Sequence, residues 1–152
     1  MVRLIQLTNA FTLNNMSVRA GERTQGDLTV IVKAKEMAIY TLRITNNEKN
    51  FPKRYRLSVV NKIQDKAFEI VTCLIEANEI YPRTKEELQF RQTKQRQAMA
   101  YCRSLMAMVD ICKELFGLGN DKVAFWAKSV FEVRTLTAAW FKKDEERFKE
   151  KF

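Results

Sequence analysis

Residues 50–82 read NFPKRYRLSVVNKIQDKAFEIVTCLIEANEIYP, and this stretch decides the fold. It opens on a basic cluster at a proline-marked helix start. From there Leu57, Val60, Ile63, Ala67, Ile70, Leu74, Ala77 and Tyr81 recur every three or four residues, so on a helix they share one face. The other face carries Lys62, Asp65, Lys66, Glu69, Glu76 and Glu79. One apolar stripe along so long a helix has to be buried against other helices. The flanking sequence supplies them.

On the N-terminal side, Leu28, Ile31, Ala34, Ala38, Thr41 and Leu42 follow at helical spacing. Asp27 is placed to cap that helix with its carboxylate. The β-branched run Thr29-Val30-Ile31-Val32 lowers helix propensity, so this helix depends on tertiary packing. It ends near Asn46-Asn47; residues 47–51 form a turn, and Pro52 suits a first helical turn, where its missing N–H costs nothing. Residues 1–26 show no sustained period and read as an irregular or disordered segment. Within them Met16 is an alternative start, and residues 1–15 are either a start-site artefact or a docking arm.

On the C-terminal side, Thr84-Lys85-Glu86-Glu87 has capping-box spacing and starts a helix that reaches about Phe116. Its stripe is Leu88, Gln92 or Gln95, Met99, Cys102, Leu105, Met106, Val109, Cys112 and Phe116. The first half is polar, so it is expected to project beyond the bundle or to fray. Gly117 and Gly119 stop the helix. Asn120 is the expected cap of a last helix presenting Val123, Trp126, Ala127, Val130, Val133, Thr137, Trp140 and Phe141. The fold class is all-α: an antiparallel up-down four-helix bundle over residues 27–148.

Composition agrees. In 152 residues there are only four glycines and two prolines, which favours long helices over sheets. Lys and Arg number 27 against 18 Asp and Glu, a net charge of +9. On one small domain this points to a polyanionic partner, nucleic acid before an acidic membrane surface. The three cysteines, Cys73, Cys102 and Cys112, lack Cys-x-x-Cys spacing and sit among apolar positions as small hydrophobes. Without a signal peptide or an apolar run near 18 residues, the chain reads as cytoplasmic, reduced and not membrane-bound.

Catalytic chemistry finds little to build on. The chain has no histidine, the commonest general base and metal ligand, so the Glu-x-x-His pairs of di-iron bundles cannot form. Glu69 and Glu76 lie seven apart on one face, but solvation or ion pairing accounts for them. No Walker loop or Gly-x-Ser-x-Gly turn occurs, and Cys102 has no histidine to activate it. The reading is a non-enzyme without cofactor or metal.

The basic residues are the candidate site. Lys53, Arg54 and Arg56 cluster where the second helix begins, and Lys62 and Lys66 continue along it. Arg83, Lys85, Arg91, Lys94, Arg96 and Arg103 populate the third helix and its approach, against Glu86 and Glu87. Such rows suit a phosphate backbone, in a duplex or folded RNA, without reading bases. Phe68, Trp126, Phe131 and Trp140 are assigned to core or interface rather than to stacking.

Three motifs carry a family resemblance: Phe-Pro-Lys-Arg-Tyr-Arg-Leu at 51–57, Lys-Ile-x-Asp-x-Ala-x-Glu at 62–69 and Glu-Ala-Asn-Glu at 76–79. They resemble the small four-helix-bundle proteins of prokaryotes. That group includes proteins encoded in intervening sequences of large-subunit ribosomal RNA genes and the accessory variability determinant (Avd) of diversity-generating retroelements. Ala100-Tyr101-Cys102-Arg103, Glu132-Val133-Arg134-Thr135-Leu136 and Ala139-Trp140-Phe141 make Avd the closer match, over residues 27–142. The resemblance implies a ring-like, barrel-shaped homopentamer that binds the element's reverse transcriptase and its structured template RNA, or DNA or an RNA–DNA hybrid. It also implies support of mutagenic reverse transcription, with Lys53, Arg54, Arg103 and Arg134 at basic positions of the family. The alternatives from other classes are an intervening-sequence-type protein with another nucleic-acid or scaffolding role, and an interaction bundle whose charge aids solubility. Tyr40, Leu42, Phe125 and Phe131 lie off or beside the main stripes and are the candidates for contacts between copies.

Overall fold

The computed structural model describes residues 25–152; the irregular segment expected over residues 1–26 lies outside them up to residue 24, and its last two residues are helical. Four helices form a bundle: α1 (Gln25–Asn46), α2 (Asn61–Glu79), α3 (Lys85–Phe116) and α4 (Asn120–Phe148). Among the described residues there is no strand. α1 packs on α2 and α4, and α3 packs on the same two. Cross-helix contacts run antiparallel throughout. Lys33 meets Glu132 while Tyr40 meets Lys122; Glu76 meets Lys94 while Lys66 meets Tyr101; Arg91 meets Asp144 while Arg96 meets Phe141.

The predicted stripes form the core. Ile31 and Ala34 from α1, Ile63, Ala67, Ile70 and Leu74 from α2, Cys102, Leu105 and Val109 from α3, and Trp126, Val130 and Val133 from α4 are all buried. Each large aliphatic side chain so buried contributes about 1.5–3 kcal/mol. This packing carries the β-branched start of α1, where Val30 and Ile31 are buried. Thr41 lies on the same stripe because its hydroxyl accepts the Trp126 indole N–H at 3.0 Å and donates to the Met37 carbonyl at 2.8 Å. One end of the bundle is closed by aromatic rings. Phe51 packs against Phe116 at 5.1 Å and Trp126 at 6.2 Å, and Tyr55 meets Phe116 at 5.0 Å.

Helix ends follow their local chemistry, with shifts of a residue or two. α1 begins at Gln25, so Asp27 stands in its first turn and not at its cap. Asn47 closes the following turn by accepting from the backbone of Asn50 and Phe51. The Thr84 hydroxyl accepts the Glu87 N–H at 3.2 Å, and the Glu87 carboxylate accepts the Arg83 N–H at 2.7 Å, a capping box displaced by one residue. Gly117 adopts φ 61° and donates to the Lys113 carbonyl, a left-handed stop that costs glycine no Cβ clash. Gly119, not Asn120, holds the cap position of α4, and no side chain caps it.

Two further expectations fail. The core stripe of α2 does not reach Leu57, which is 80% exposed. Pro52 precedes a 3₁₀ turn (Lys53–Tyr55), and a π-helical turn follows (Arg56–Val60), in which the Asn61 N–H reaches back to the Arg56 carbonyl. These windings differ from 3.6 residues per turn, so phase is lost before Asn61. Replacing Leu57 by serine is accordingly expected to change stability by less than about 0.5 kcal/mol, whereas Ile63→Ala costs about 2–5 kcal/mol. Urea denaturation of the two variants checks this; a loss above about 1 kcal/mol for Leu57→Ser would return that residue to the core.

The second failure is the first half of α3, which neither projects nor frays. Arg91 and Gln95 are 1% and 0% exposed, and Gln95, rather than Gln92, takes the inward position. Both meet Asp144 of α4, 1% exposed. Arg91 Nε and Nη2 donate to the two Asp144 oxygens at 2.6 and 2.9 Å, and Gln95 Nε2 donates at 2.8 Å. Arg91 Nη1 donates to the Ile80 carbonyl at 3.1 Å, and the guanidinium lies 4.8 Å from the Trp140 ring centre. The polar half-helix is thus held by a satisfied ion pair.

Candidate nucleic-acid interface

The ten basic residues expected to form one surface separate into four places. Arg91 leaves the set altogether: buried on Asp144, it presents no donor to a phosphate in solvent. Its position is in phase with the buried stripe that runs through Gln95, Ala98 and Cys102, and a carboxylate 53 residues away partners its charge there.

The second place is the groove between α2 and α3. Lys66 pairs with Glu69 and lies 4.1 Å from the Tyr101 ring centre. Lys94 donates to Glu76 at 2.7 Å, and this hydrogen bond, more than any other cause, raises its pKa. Lys62 is exposed beside them. With Asp65, Glu69, Glu76 and Glu79 along α2, this side offers nearly balanced charge. Lys66 and Lys94 are poor phosphate ligands, because contact with a polyanion would first have to break pairs already made, whereas Lys62 forms no ion pair among the described residues.

The third place is the ring-closed end. Lys53, Arg54 and Arg56 are exposed on the 3₁₀ and π turns. Arg54 stacks over Tyr55 at 4.9 Å, and Arg56 lies 3.7 Å from Glu48 across solvent. The fourth is the groove between α3 and α4. Arg96 covers the Phe141 ring at 5.0 Å. Arg103 lies seven residues after Arg96, and Arg134 seven before Phe141. The same antiparallel offset therefore sets Arg103 opposite Arg134 across the groove. Arg134 is half-buried near Cys102, and its Nε is buried without a hydrogen-bond acceptor. No carboxylate pairs with Arg96, Arg103 or Arg134 among the described residues. Guanidiniums without a carboxylate partner are suited to a phosphate, which takes their planar donors two at a time.

Sequence reading missed a fourth basic surface. Arg43 and Lys128 line a cleft between α1 and α4 together with Tyr40 and Phe125. The signal was present as two aromatic–basic pairs at i,i+3, Tyr40/Arg43 and Phe125/Lys128. Only the pairing of α1 with α4 makes them one feature.

The cysteines are buried and free. Burial raises the Cys102 thiol to about 12 and the Cys112 thiol to about 11, and it is also the main cause that raises Cys73. At neutral pH all three are thiols rather than thiolates. Among the described residues no helix is long and apolar enough to cross a membrane. No family model, curated protein or solved structure matches the chain.

Proposed function

We propose that this chain is a non-catalytic accessory protein of a diversity-generating retroelement. In this reading its basic surface holds structured template RNA against the reverse transcriptase during mutagenic cDNA synthesis. The observation that carries the reading is the α3/α4 groove, where Arg96, Arg103 and Arg134 have no carboxylate partner among the described residues. With Lys53, Arg54 and Arg56 it offers two anion-binding surfaces on one rigid bundle. The role is electrostatic: cations placed along a backbone release its counterions and lower the cost of holding it. The motifs at 51–57, 62–69 and 76–79 supply the resemblance to the four-helix-bundle group, and residues 52–54, 100–103, 132–136 and 139–141 supply the closer resemblance to Avd. In the same reading copies assemble into a homopentamer in the cytoplasm. Leu57, Phe68, Ile111 and Phe131, each more than half exposed, support association between copies.

The test is affinity capture of the tagged protein from its host, followed by RNA sequencing and mass spectrometry. Recovery of a reverse transcriptase with one short structured RNA is the expected result. Recovery of ribosomal RNA alone moves the chain to the intervening-sequence group, and recovery of nothing above background sinks both readings.

A further inference from the structure

The cleft between α1 and α4 has an aromatic wall, cations at its rim and a volume of about 560 Å³, within the range of about 300–1,000 Å³ usual for small-ligand clefts. Phe125 keeps 58% of its surface open, and its ring meets Tyr40 at 4.7 Å with an interplanar angle of 59°. Tyr40 is held in place by a bond from its hydroxyl to the Lys122 carbonyl at 3.3 Å. Ile39, 50% exposed, continues the apolar surface. Glu36 and Glu132 are both engaged by Lys33, at 3.4 and 3.9 Å. Arg43 and Lys128 have no carboxylate partner among the described residues, and with Lys33 set against Glu36 and Glu132 the three cations and two carboxylates leave the cleft net positive.

From these features we infer that the α1/α4 cleft binds an unpaired nucleobase of single-stranded RNA. The inference rests on the RNA-binding function proposed above and adds a second mode to it. Phe125 supplies the stacking face, and Arg43 and Lys128 take the flanking phosphates. Packed helices lie about 8–10 Å apart, and bases inside a duplex are already stacked and edge-paired, so the cleft excludes a duplex and admits a splayed base. Aromatic platforms bordered by cations are the usual means of holding single strands without reading sequence. In the α3/α4 groove the Phe141 ring is already covered by Arg96, and the Trp140 ring is buried against Arg91. The two surfaces thus divide the work: phosphates of folded RNA in one groove, an unstacked base in the other.

The test uses fluorescence anisotropy with three fluorescein-labelled probes. They are a mixed-sequence single-stranded RNA about 12 nucleotides long, the same strand annealed to its complement, and an abasic ribose-phosphate strand of equal length. Wild-type protein is expected to bind the single strand more tightly than the abasic one. Phe125→Ala is expected to weaken the single-strand complex about 5- to 150-fold, leaving the duplex and abasic affinities and the salt slope unchanged. Phe125→Tyr is expected to restore binding. Circular dichroism checks the fold of both variants. Equal weakening of all three probes, or no weakening of any, overturns the inference. So does loss of self-association in sedimentation velocity on Phe125→Ala, because the cleft would then be covered by a second copy. A wild type that binds RNA with no preference for bases over abasic sugar refutes the cleft alone; a wild type that binds none of the probes refutes the RNA function as well.

Discussion

Replacing Asp144 by alanine is expected to destabilise the bundle by about 3–5 kcal/mol, the cost of leaving a buried charge without its partner. Arg91 would lose two charge-assisted bonds, and Gln95 Nε2 would lose its acceptor. Neither side chain reaches solvent in the folded state, so water cannot replace what is removed. At about 2–4 °C per kcal/mol for a chain of this size, the melting temperature should fall by about 6–20 °C. The ion pair itself is worth much less than its breakage suggests, because burying both charges was costly. The double variant Arg91→Met, Asp144→Leu should therefore recover most of the loss. Thermal and urea denaturation of Arg91→Met, Asp144→Leu and the double variant, beside Asp144→Ala, measures the coupling. An Asp144→Ala protein within about 1 kcal/mol of wild type, or a double variant no better than the sum of the singles, would contradict the placement of this pair in the core.

Reversing charge at Arg54 and Arg103 together is expected to weaken binding to structured RNA between about a hundredfold and a thousandfold at low salt. At about 4 Å in water a unit-charge contact is worth about 1 kcal/mol, and two reversals remove two attractions and add two repulsions. The slope of log affinity against log salt should also fall by about 2. The fold should not suffer, because both residues are exposed and neither forms an ion pair among the described residues; Arg54 gives up only a solvent-facing contact with Tyr55. Filter binding between about 50 and 200 mM salt, with circular dichroism as a control, measures both quantities. The same reversal at Lys66 and Lys94 should weaken RNA binding less, because Glu69 and Glu76 already occupy those lysines. Unchanged affinity in the Arg54/Arg103 variant would place the RNA elsewhere.

Much of this molecule is legible from sequence. Helix existence, the core faces, the glycine stop at Gly117 and the threonine cap at Thr84 follow from local rules. A period of 3.6 and a capping hydroxyl act within a few residues, and nothing distant has to be known. The inert placement of the cysteines follows from the same stripes. The basic candidates were legible as residues but not as surfaces. Lys66, Lys94 and Arg103 share helical polar faces in sequence, yet the first two are drawn into ion pairs and the third is left open.

By itself, then, the sequence determined the fold class, the faces that are buried and the excess of positive charge. The tertiary structure decided how that charge is used. Arg91 became core because Asp144 arrives beside it from α4; Leu57 became surface because two irregular turns break the helical phase ahead of α2. Cys102 acquired Arg134 as its neighbour, and Phe125 acquired Tyr40, only when antiparallel packing joined segments far apart in the chain. Periodicity reports which side of a helix turns inward. Which polar group it meets there depends on the register between helices, and register is set by the packed core as a whole.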